Sequence, residues 1–156
     1  MQKFPILFVA EQKRKYTPVE NRLLYEWCIK NYPKALQWRR VRVGPIPKSP
    51  EEKLYGVLRR WVDAVIFTGK KVILVEAKIR PHPDAIGQLL LYNELFPKTP
   101  EFSQLKDYPR ELVFLTTKED NAVRNLCRQH NIKFVVYRPK WIEEYWKELM
   151  KKMAKR

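Results

Sequence analysis

The sequence predicts a single α/β domain in which a mixed β-sheet carries helices on both faces. Short apolar segments typical of strands alternate with longer segments of helical periodicity, in the order α-β-β-β-α-β-α-β-α. The chain has 156 residues, of which 45% are hydrophobic, and this is enough for one domain with a proper core. We expect an N-terminal extension over residues 1–16, a core over 17–138 and a basic C-terminal helix over 141–156.

The first predicted elements are a helix and a strand, followed by a loop. Thr17 followed by Pro18 is typical of a helix start, and the apolar face behind them predicts a helix to about Tyr32. Residues 37–43 (QWRRVRV) are predicted to form a strand. Three prolines predict a loop over residues 44–50.

The next two strands are predicted to form a hairpin. Residues 61–67 and 71–79 are apolar and rich in β-branched side chains, with a turn signal between them. If Gly69-Lys70 forms a two-residue turn with glycine first, as a type II′ turn prefers, the two strands pair in a defined register. In that register Asp63 lies directly opposite Glu76.

The pairing of Asp63 with Glu76 points to metal chemistry. Two acids with Cβ atoms about 5 Å apart in an apolar hairpin repel each other and are costly to desolvate. A divalent metal ion would remove that conflict, and Lys78, on the same face, would add a cation beside the bound anion. This combination suits phosphodiester cleavage. The alternative is a charged pair at an exposed strand edge, but the apolar neighbours of both acids indicate central strands.

The second half of the chain continues the alternation of helices and strands. A helix is predicted from His82-Pro83-Asp84 to about Phe96, because proline suits the first turn. A long connection over residues 97–110 follows. The last predicted elements are a strand over 111–117, a helix over 118–130, a strand over 133–138 and an amphipathic helix over 141–156.

The charge of the chain limits its expected partners. Lys and Arg number 32 against 17 Asp and Glu, a formal charge of +15, which predicts salt-sensitive attraction to DNA, RNA or an acidic membrane surface. Apolar runs fall short of the ~20 residues of a membrane span, and the N-terminal residues lack the framing of a signal peptide. We therefore expect a cytoplasmic (intracellular) protein without a membrane partner. Cys28 and Cys127 are expected to be free, buried thiols, too few for a zinc or iron–sulfur site.

Asp63 followed by Glu76-Ala77-Lys78, after a helix that bears Glu20, resembles the PD-(D/E)XK nuclease superfamily. In the next helix, Gln88 and Tyr92 look like the Q-x-x-x-Y motif of the RecB-like and lambda-exonuclease-like branch. The resemblance covers about residues 17–137 and agrees with the predicted order of elements.

The sequence departs from this family pattern at two points. Val62 stands where the proline that names the motif would be. The RecB-like branch often has an upstream histidine, whereas here no histidine precedes His82.

The resemblance implies a restriction-endonuclease-like fold, a requirement for Mg²⁺ or Mn²⁺, and DNA as the usual substrate. It implies that Asp63, Glu76 and the Ala77 carbonyl hold the metal ion, with Glu20 reaching this ion or a second one through water. Lys78 would orient or deprotonate the attacking water, or stabilise charge on the phosphate. Endonuclease and exonuclease activity both remain open at this point, as does a homodimer.

The remaining candidate residues would position the substrate. Gln88 is expected to steady the nucleotide or Lys78, and Tyr92 the phosphate or its own helix. Contacts to the DNA backbone that do not depend on sequence are expected from Arg39, Arg40, Arg42, Arg59 and Arg60.

Each candidate also has a simpler structural explanation. Glu20 could complete a capping box with Thr17, and Lys78 could be a solvated lysine near a strand end. For the whole chain, the alternatives are a catalytically inactive nuclease-fold protein that binds DNA or builds an assembly, and a plain RNA-binding protein. Asp63 and Glu76 argue against both, because neither class gains anything from paired buried acids.

Overall fold

A five-stranded sheet forms the centre of the computed structural model, which describes residues 17–55 and 59–156, except the side chain of residue 55. The N-terminal extension expected over residues 1–16 lies outside the described residues. The elements are α1 (Pro18–Asn31), β1 (Leu36–Val43), α2 (Pro50–Tyr55), β2 (Arg60–Phe67), β3 (Val72–Ala77), α3 (Asp84–Leu95), β4 (Arg110–Thr116), α4 (Asn121–Gln129), β5 (Ile132–Val136) and α5 (Lys140–Ala154).

The sheet is mixed, and its strands lie in sequence order from β1 to β5. β1, β2 and β3 are antiparallel neighbours, whereas β3, β4 and β5 run parallel and are connected through α3 and α4. The predicted fold class is therefore confirmed. Parallel strands require crossover connections, and the two helical segments predicted between the last three strands supply them.

Hydrophobic cores cover both faces of the sheet. On one face α3 and α4 pack against the strands, and on the other face α1 and α5 do so. β3 is buried along its whole length, as expected for a central strand with helices on both sides. Within residues 17–55 and 59–156, no helix is both long and apolar enough to cross a membrane.

The predicted hairpin register is confirmed for residues 64–67 of β2 and 72–75 of β3, but the ladder stops one residue short of the predicted Asp63–Glu76 pair. Ala64 pairs with Val75 and Phe67 with Val72, the register that a two-residue turn at Gly69 requires. Gly69 has φ +91°, a conformation that glycine adopts without the steric cost of a side chain.

Several element boundaries differ from the sequence-based predictions. The predicted strand over 71–79 ends at Ala77, and α2 is an additional short helix. The predicted connection over 97–110 contains two short 3₁₀ segments, Phe96–Lys98 and Pro100–Leu105.

The helix α4 also begins later than predicted. α4 starts at Asn121 because Asp120 acts as the N-cap, accepting a hydrogen bond from the Val123 N–H at 3.1 Å. The helix predicted from His82 likewise starts at Asp84.

Candidate active site

The candidate active site lies where the β2–β3 ladder ends. Ala64 and Val75 form the last backbone pair of the ladder, and the residues that follow at this end of the two strands are Asp63 and Glu76. Both acids are buried, with 6% of Asp63 and 1% of Glu76 exposed. Burial of a carboxylate costs free energy unless the group is hydrogen-bonded or paired with a cation. The contacts of each acid therefore show how its charge is stabilised.

Asp63 is tied directly to the neighbouring strand. Its Oδ2 accepts a hydrogen bond of 2.8 Å from the backbone N–H of Ala77, which belongs to the peptide group joining Glu76 to Ala77. The carboxylate thus takes the place of a backbone acceptor just beyond the ladder. This contact holds the first acid of the motif against the segment that carries the second acid and Lys78.

The position of Asp63 depends on a break in the side-chain alternation of β1 and β2. Val62 and Val65 pack in the same core cluster, although residues three apart in a regular strand face opposite sides of the sheet. Trp38 and Val41 on β1 show the same irregularity, and Arg40 between them has φ +54°. Irregularities of this kind re-aim a side chain.

Glu76 is held on two sides by polar groups. Its Oε2 accepts a hydrogen bond of 3.1 Å from the Tyr92 hydroxyl on α3, and its Oε1 lies 3.6 Å from Nζ of Lys78. The Lys78 side chain is 25% exposed and can therefore reach both the buried acid and a bound ligand. Three residues predicted for the site, Glu76, Lys78 and Tyr92, are thus in contact.

Glu20 enters the site from the first turn of α1. Thr17 caps the helix as predicted, with its Oγ1 accepting the Glu20 N–H at 3.3 Å. Burial raises the pKa of the Glu20 carboxyl, the charge of Lys78 opposes this, and the charge of Asp63 adds to it. Hydrogen bonds from the Ile79 backbone and the Thr17 side chain also lower the pKa. Glu20 therefore shares the electrostatic environment of Asp63 and Lys78.

Two clefts flank these residues. A cleft of about 430 Å³ is lined by Glu20 and Lys78, and a larger one of about 770 Å³ by Arg60 and Tyr92. Gln88 lines both. Its Oε1 is buried and has no hydrogen-bond partner among the described residues, so it is an acceptor available to a ligand or water.

The five arginines predicted to contact DNA have different surroundings. Arg59 and Arg60 line the larger cleft, and Arg59 is fixed by a hydrogen bond of 2.8 Å to Glu101. The guanidinium of Arg39 lies 4.6 Å from the ring centroid of Tyr25. The remaining two are Arg42, which stacks over Trp61 at 4.6 Å, and Arg40, which lies at the β1 irregularity.

The donor atoms around Asp63 and Glu76 suit a hard divalent cation. Mg²⁺ prefers oxygen ligands, usually takes one or two carboxylates, and keeps several waters. Among residues 17–55 and 59–156, no group of three or more His, Cys, Asp and Glu side chains is arranged to hold a metal ion. A metal ion at this site would therefore have to be held without a third acidic side chain, by the carboxylates of Asp63 and Glu76 and the Ala77 carbonyl together with water and substrate.

The sequence patterns did not indicate some residues of the smaller cleft. Arg80, Asp84 and Tyr145 line it together with Glu20 and Lys78. Tyr145 comes from α5 and meets the other residues only through tertiary packing, so no local pattern could have assigned it.

No protein-family model matches this chain, and no curated protein matches its sequence. The crystal structure of a repair endonuclease from Pyrococcus abyssi is similar, with a TM-score of 0.50 and 13% identity over 83% of this chain and 50% of that chain. The structure of an EndoMS–dsDNA2 complex has a TM-score of 0.48 and 16% identity over 85% of this chain and 50% of that chain. This chain spans about half the length of each of these two. The likeness to the Pyrococcus protein shows a shared fold.

Proposed function

We propose that this protein is a divalent-metal-dependent deoxyribonuclease that hydrolyses phosphodiester bonds at Asp63, Glu76 and Lys78. The observation that carries this proposal is the hydrogen bond from the peptide group between Glu76 and Ala77 to the buried Asp63 carboxylate, beside the Glu76–Lys78 ion pair. Two buried acids with a lysine beside them have an unfavourable desolvation cost, and a chemical role explains why they are kept together.

Metal binding would fall to the two carboxylates and the Ala77 carbonyl, with Glu20 interacting through water. When bound, a Mg²⁺ or Mn²⁺ ion lowers the pKa of coordinated water and neutralises charge on the phosphate. The orientation of Asp63 is fixed because one of its oxygens accepts a hydrogen bond of 2.8 Å from the Ala77 N–H. The orientation of Glu76 is fixed because one of its oxygens accepts a hydrogen bond of 3.1 Å from the Tyr92 hydroxyl. Such preorganisation reduces the reorganisation needed when substrate binds.

Lys78 would act on the phosphate. Its ammonium group lies 3.6 Å from Glu76 Oε1, and its side chain lines the smaller cleft, where a phosphate can approach. As a donor with three N–H groups, it can hydrogen-bond a non-bridging phosphate oxygen while orienting the attacking water.

Gln88 and the arginines would position the DNA strand. The buried Oε1 of Gln88 can accept a hydrogen bond from a nucleotide or from water between the two clefts. Arg59 and Arg60 would contact phosphates in the larger cleft, and the formal charge of +15 would strengthen nonspecific attraction to DNA. A DNA substrate is also in keeping with the fold, which is similar to that of a repair endonuclease.

The proposal is tested by incubating the protein with linear, circular, branched and single-stranded DNA, with Mg²⁺, with Mn²⁺ or with EDTA. We expect cleavage that requires the metal ion and is lost in Glu76→Gln. Glu111→Gln is the matched control, because Glu111 is also a glutamate on the sheet but is paired with Lys71 instead of Lys78. Full activity in EDTA or in Glu76→Gln would overturn the proposal.

Thermal melting with and without Mn²⁺ tests the metal site independently of cleavage. Binding to the native state raises the melting temperature, and the rise should disappear in Asp63→Ala. DNA binding without cleavage in any metal ion would instead favour the inactive, DNA-binding alternative.

A further inference from the structure

An apolar groove lies beside the smaller cleft and has no part in the proposed chemistry. It has a volume of about 490 Å³, and its walls include Trp146 together with Met150 and Met153 on α5. The two methionines are 65% and 56% exposed, which is high for large apolar side chains. We call this feature the Trp146 groove.

Trp146 is rigidly connected to the segment that carries Lys78. Its indole N–H donates a hydrogen bond of 2.9 Å to Oγ1 of Thr117, and the same hydroxyl donates a hydrogen bond of 2.6 Å to the carbonyl of Ile79. Ile79 directly follows Lys78 in the chain. The aromatic ring therefore has a fixed position relative to the proposed reaction centre.

Two cations lie over the aromatic ring. The guanidinium of Arg80 is 5.9 Å and the ammonium of Lys118 5.6 Å from the ring centroid of Trp146. Arg80 also contacts the Met153 sulfur at 3.4 Å. The groove thus combines an apolar, aromatic wall with positive charge close to the ring.

The two acids that line the groove are engaged elsewhere. Both carboxylate oxygens of Glu119 accept hydrogen bonds from Arg124, at 2.6 and 2.7 Å. Asp120 caps α4 through the Val123 N–H. Their charges are therefore directed at α4, and the occupant of the groove meets the cations.

The groove adjoins the smaller cleft. Arg80 and His82 line both of them, whereas Glu20 and Lys78 line the smaller cleft and not the groove. A nucleotide chain with one phosphate at Lys78 could therefore place a neighbouring base against Trp146 and a neighbouring phosphate near Arg80.

We infer that the Trp146 groove binds an unpaired nucleobase next to the scissile phosphate, so that the substrate is single-stranded at this point. This inference rests on the proposed nuclease function. Aromatic side chains bind bases of any sequence through stacking, and the adjacent cations complement the phosphates on either side. A base inside a duplex is stacked on both faces and reaches a concave groove only after it has left the stack.

A binding experiment tests the groove without relying on cleavage. Single-stranded oligonucleotides carrying one 2-aminopurine are titrated with the protein in EDTA, and the label is moved through successive positions. We expect strong quenching at one position, and loss of this quenching in Trp146→Leu. Trp141→Leu is the matched control, because Trp141 also belongs to α5 but contacts Arg22 and Glu26 instead.

A double-mutant cycle measured by cleavage kinetics then tests whether the base that contacts Trp146 lies next to the cleaved bond. An abasic nucleotide at the contacted position should lower kcat/KM by about 5- to 150-fold in the wild type, the range that base stacking provides. In Trp146→Leu the same abasic nucleotide should cause no further loss, because the base has already lost its partner. Multiplicative losses, or quenching that persists in Trp146→Leu, would refute the inference.

Met150→Glu provides a second variant in case Trp146→Leu does not fold. Met150 is exposed, so the substitution should leave the fold intact while placing a negative charge in the groove. Position-specific quenching should be lost in this variant. If Met150→Glu instead changes only the oligomeric mass and leaves quenching intact, the groove is a protein interface and the inference is wrong. Failure of the wild type to cleave any DNA would overturn the nuclease proposal. The quenching experiment would still show whether the Trp146 groove binds a nucleobase.

Discussion

Asp63 Oδ2 lies 2.8 Å from the backbone nitrogen of Ala77, so a side chain of one strand completes the hydrogen bonding of the next strand at the point where their ladder ends. The same carboxylate is the first acid of the proposed metal site. Asp63 therefore has a structural role and a proposed chemical role, and substitutions can separate them.

Asp63→Asn and Asp63→Ala should differ in stability but not in activity. Asparagine keeps an oxygen that accepts the Ala77 N–H, whereas alanine leaves this buried donor unpaired, at a cost of about 1–3 kcal/mol. Both substitutions remove the negative charge that the proposed metal site requires, so both should lack cleavage. Urea unfolding and a cleavage assay on both variants check this, and equal stability of the two would show that the hydrogen bond contributes little.

Lys78→Ala should abolish cleavage while leaving the binding of DNA and metal ion largely intact. In the proposed mechanism the ammonium group acts on charge that develops in the transition state, and removal of such a group typically lowers the rate by about 10²–10⁴-fold. One of 32 Lys and Arg residues contributes little to overall attraction. A gel-shift titration and a cleavage time course on the same variant separate the two effects. Cleavage at the wild-type rate would limit Lys78 to a structural role as the ion-pair partner of Glu76.

Tyr92→Phe should destabilise the protein by about 1–3 kcal/mol, because the hydroxyl that donates to the buried Glu76 carboxylate is removed. Chemical denaturation measures the change. Tyr25→Phe is the control, because Tyr25 is 52% exposed and should change stability by less than about 0.5 kcal/mol. A Tyr92→Phe variant as stable as the wild type would indicate that the hydroxyl is replaceable by water.

Gly87→Ala should stabilise the protein by about 0.5–1 kcal/mol. Gly87 lies within α3, and a Cβ added there meets no described atom within 4 Å. Gly69→Ala should have the opposite effect, because Gly69 also has open space but adopts φ +91° in the hairpin turn. Urea midpoints of the two variants test this contrast, and a shift in the same direction for both would contradict it.

Cys28 should be unreactive in the native protein. Burial raises its pKa to about 11, so little thiolate is present at pH 8. Burial favours the neutral thiol over the thiolate. The buried neutral thiol therefore contributes to the free energy of unfolding below pH 9, the ordinary pKa of a cysteine thiol, and this contribution is lost as the pH rises towards 11. Alkylation followed by mass spectrometry should modify Cys28 only after unfolding, and rapid modification at pH 8 would contradict the burial.

The sequence by itself determined the features that depend on short-range interactions. The Gly69-Lys70 turn sets the register of β2 on β3, because a two-residue loop leaves one pairing that keeps the apolar faces aligned. Thr17 likewise marks the start of α1 through a contact within a single turn. The fold class followed from the order of such elements.

Only the tertiary structure decided how the candidate site is assembled. The contact between Asp63 and the Ala77 N–H depends on a break in alternation that β1 and β2 share, and strand periodicity assumes that no such break occurs. The Tyr92–Glu76 hydrogen bond and the Trp146–Thr117 contact join residues 16 and 29 positions apart. Such contacts form when helices pack on the sheet, and packing depends on the shapes of many distant side chains at once, which no local pattern encodes.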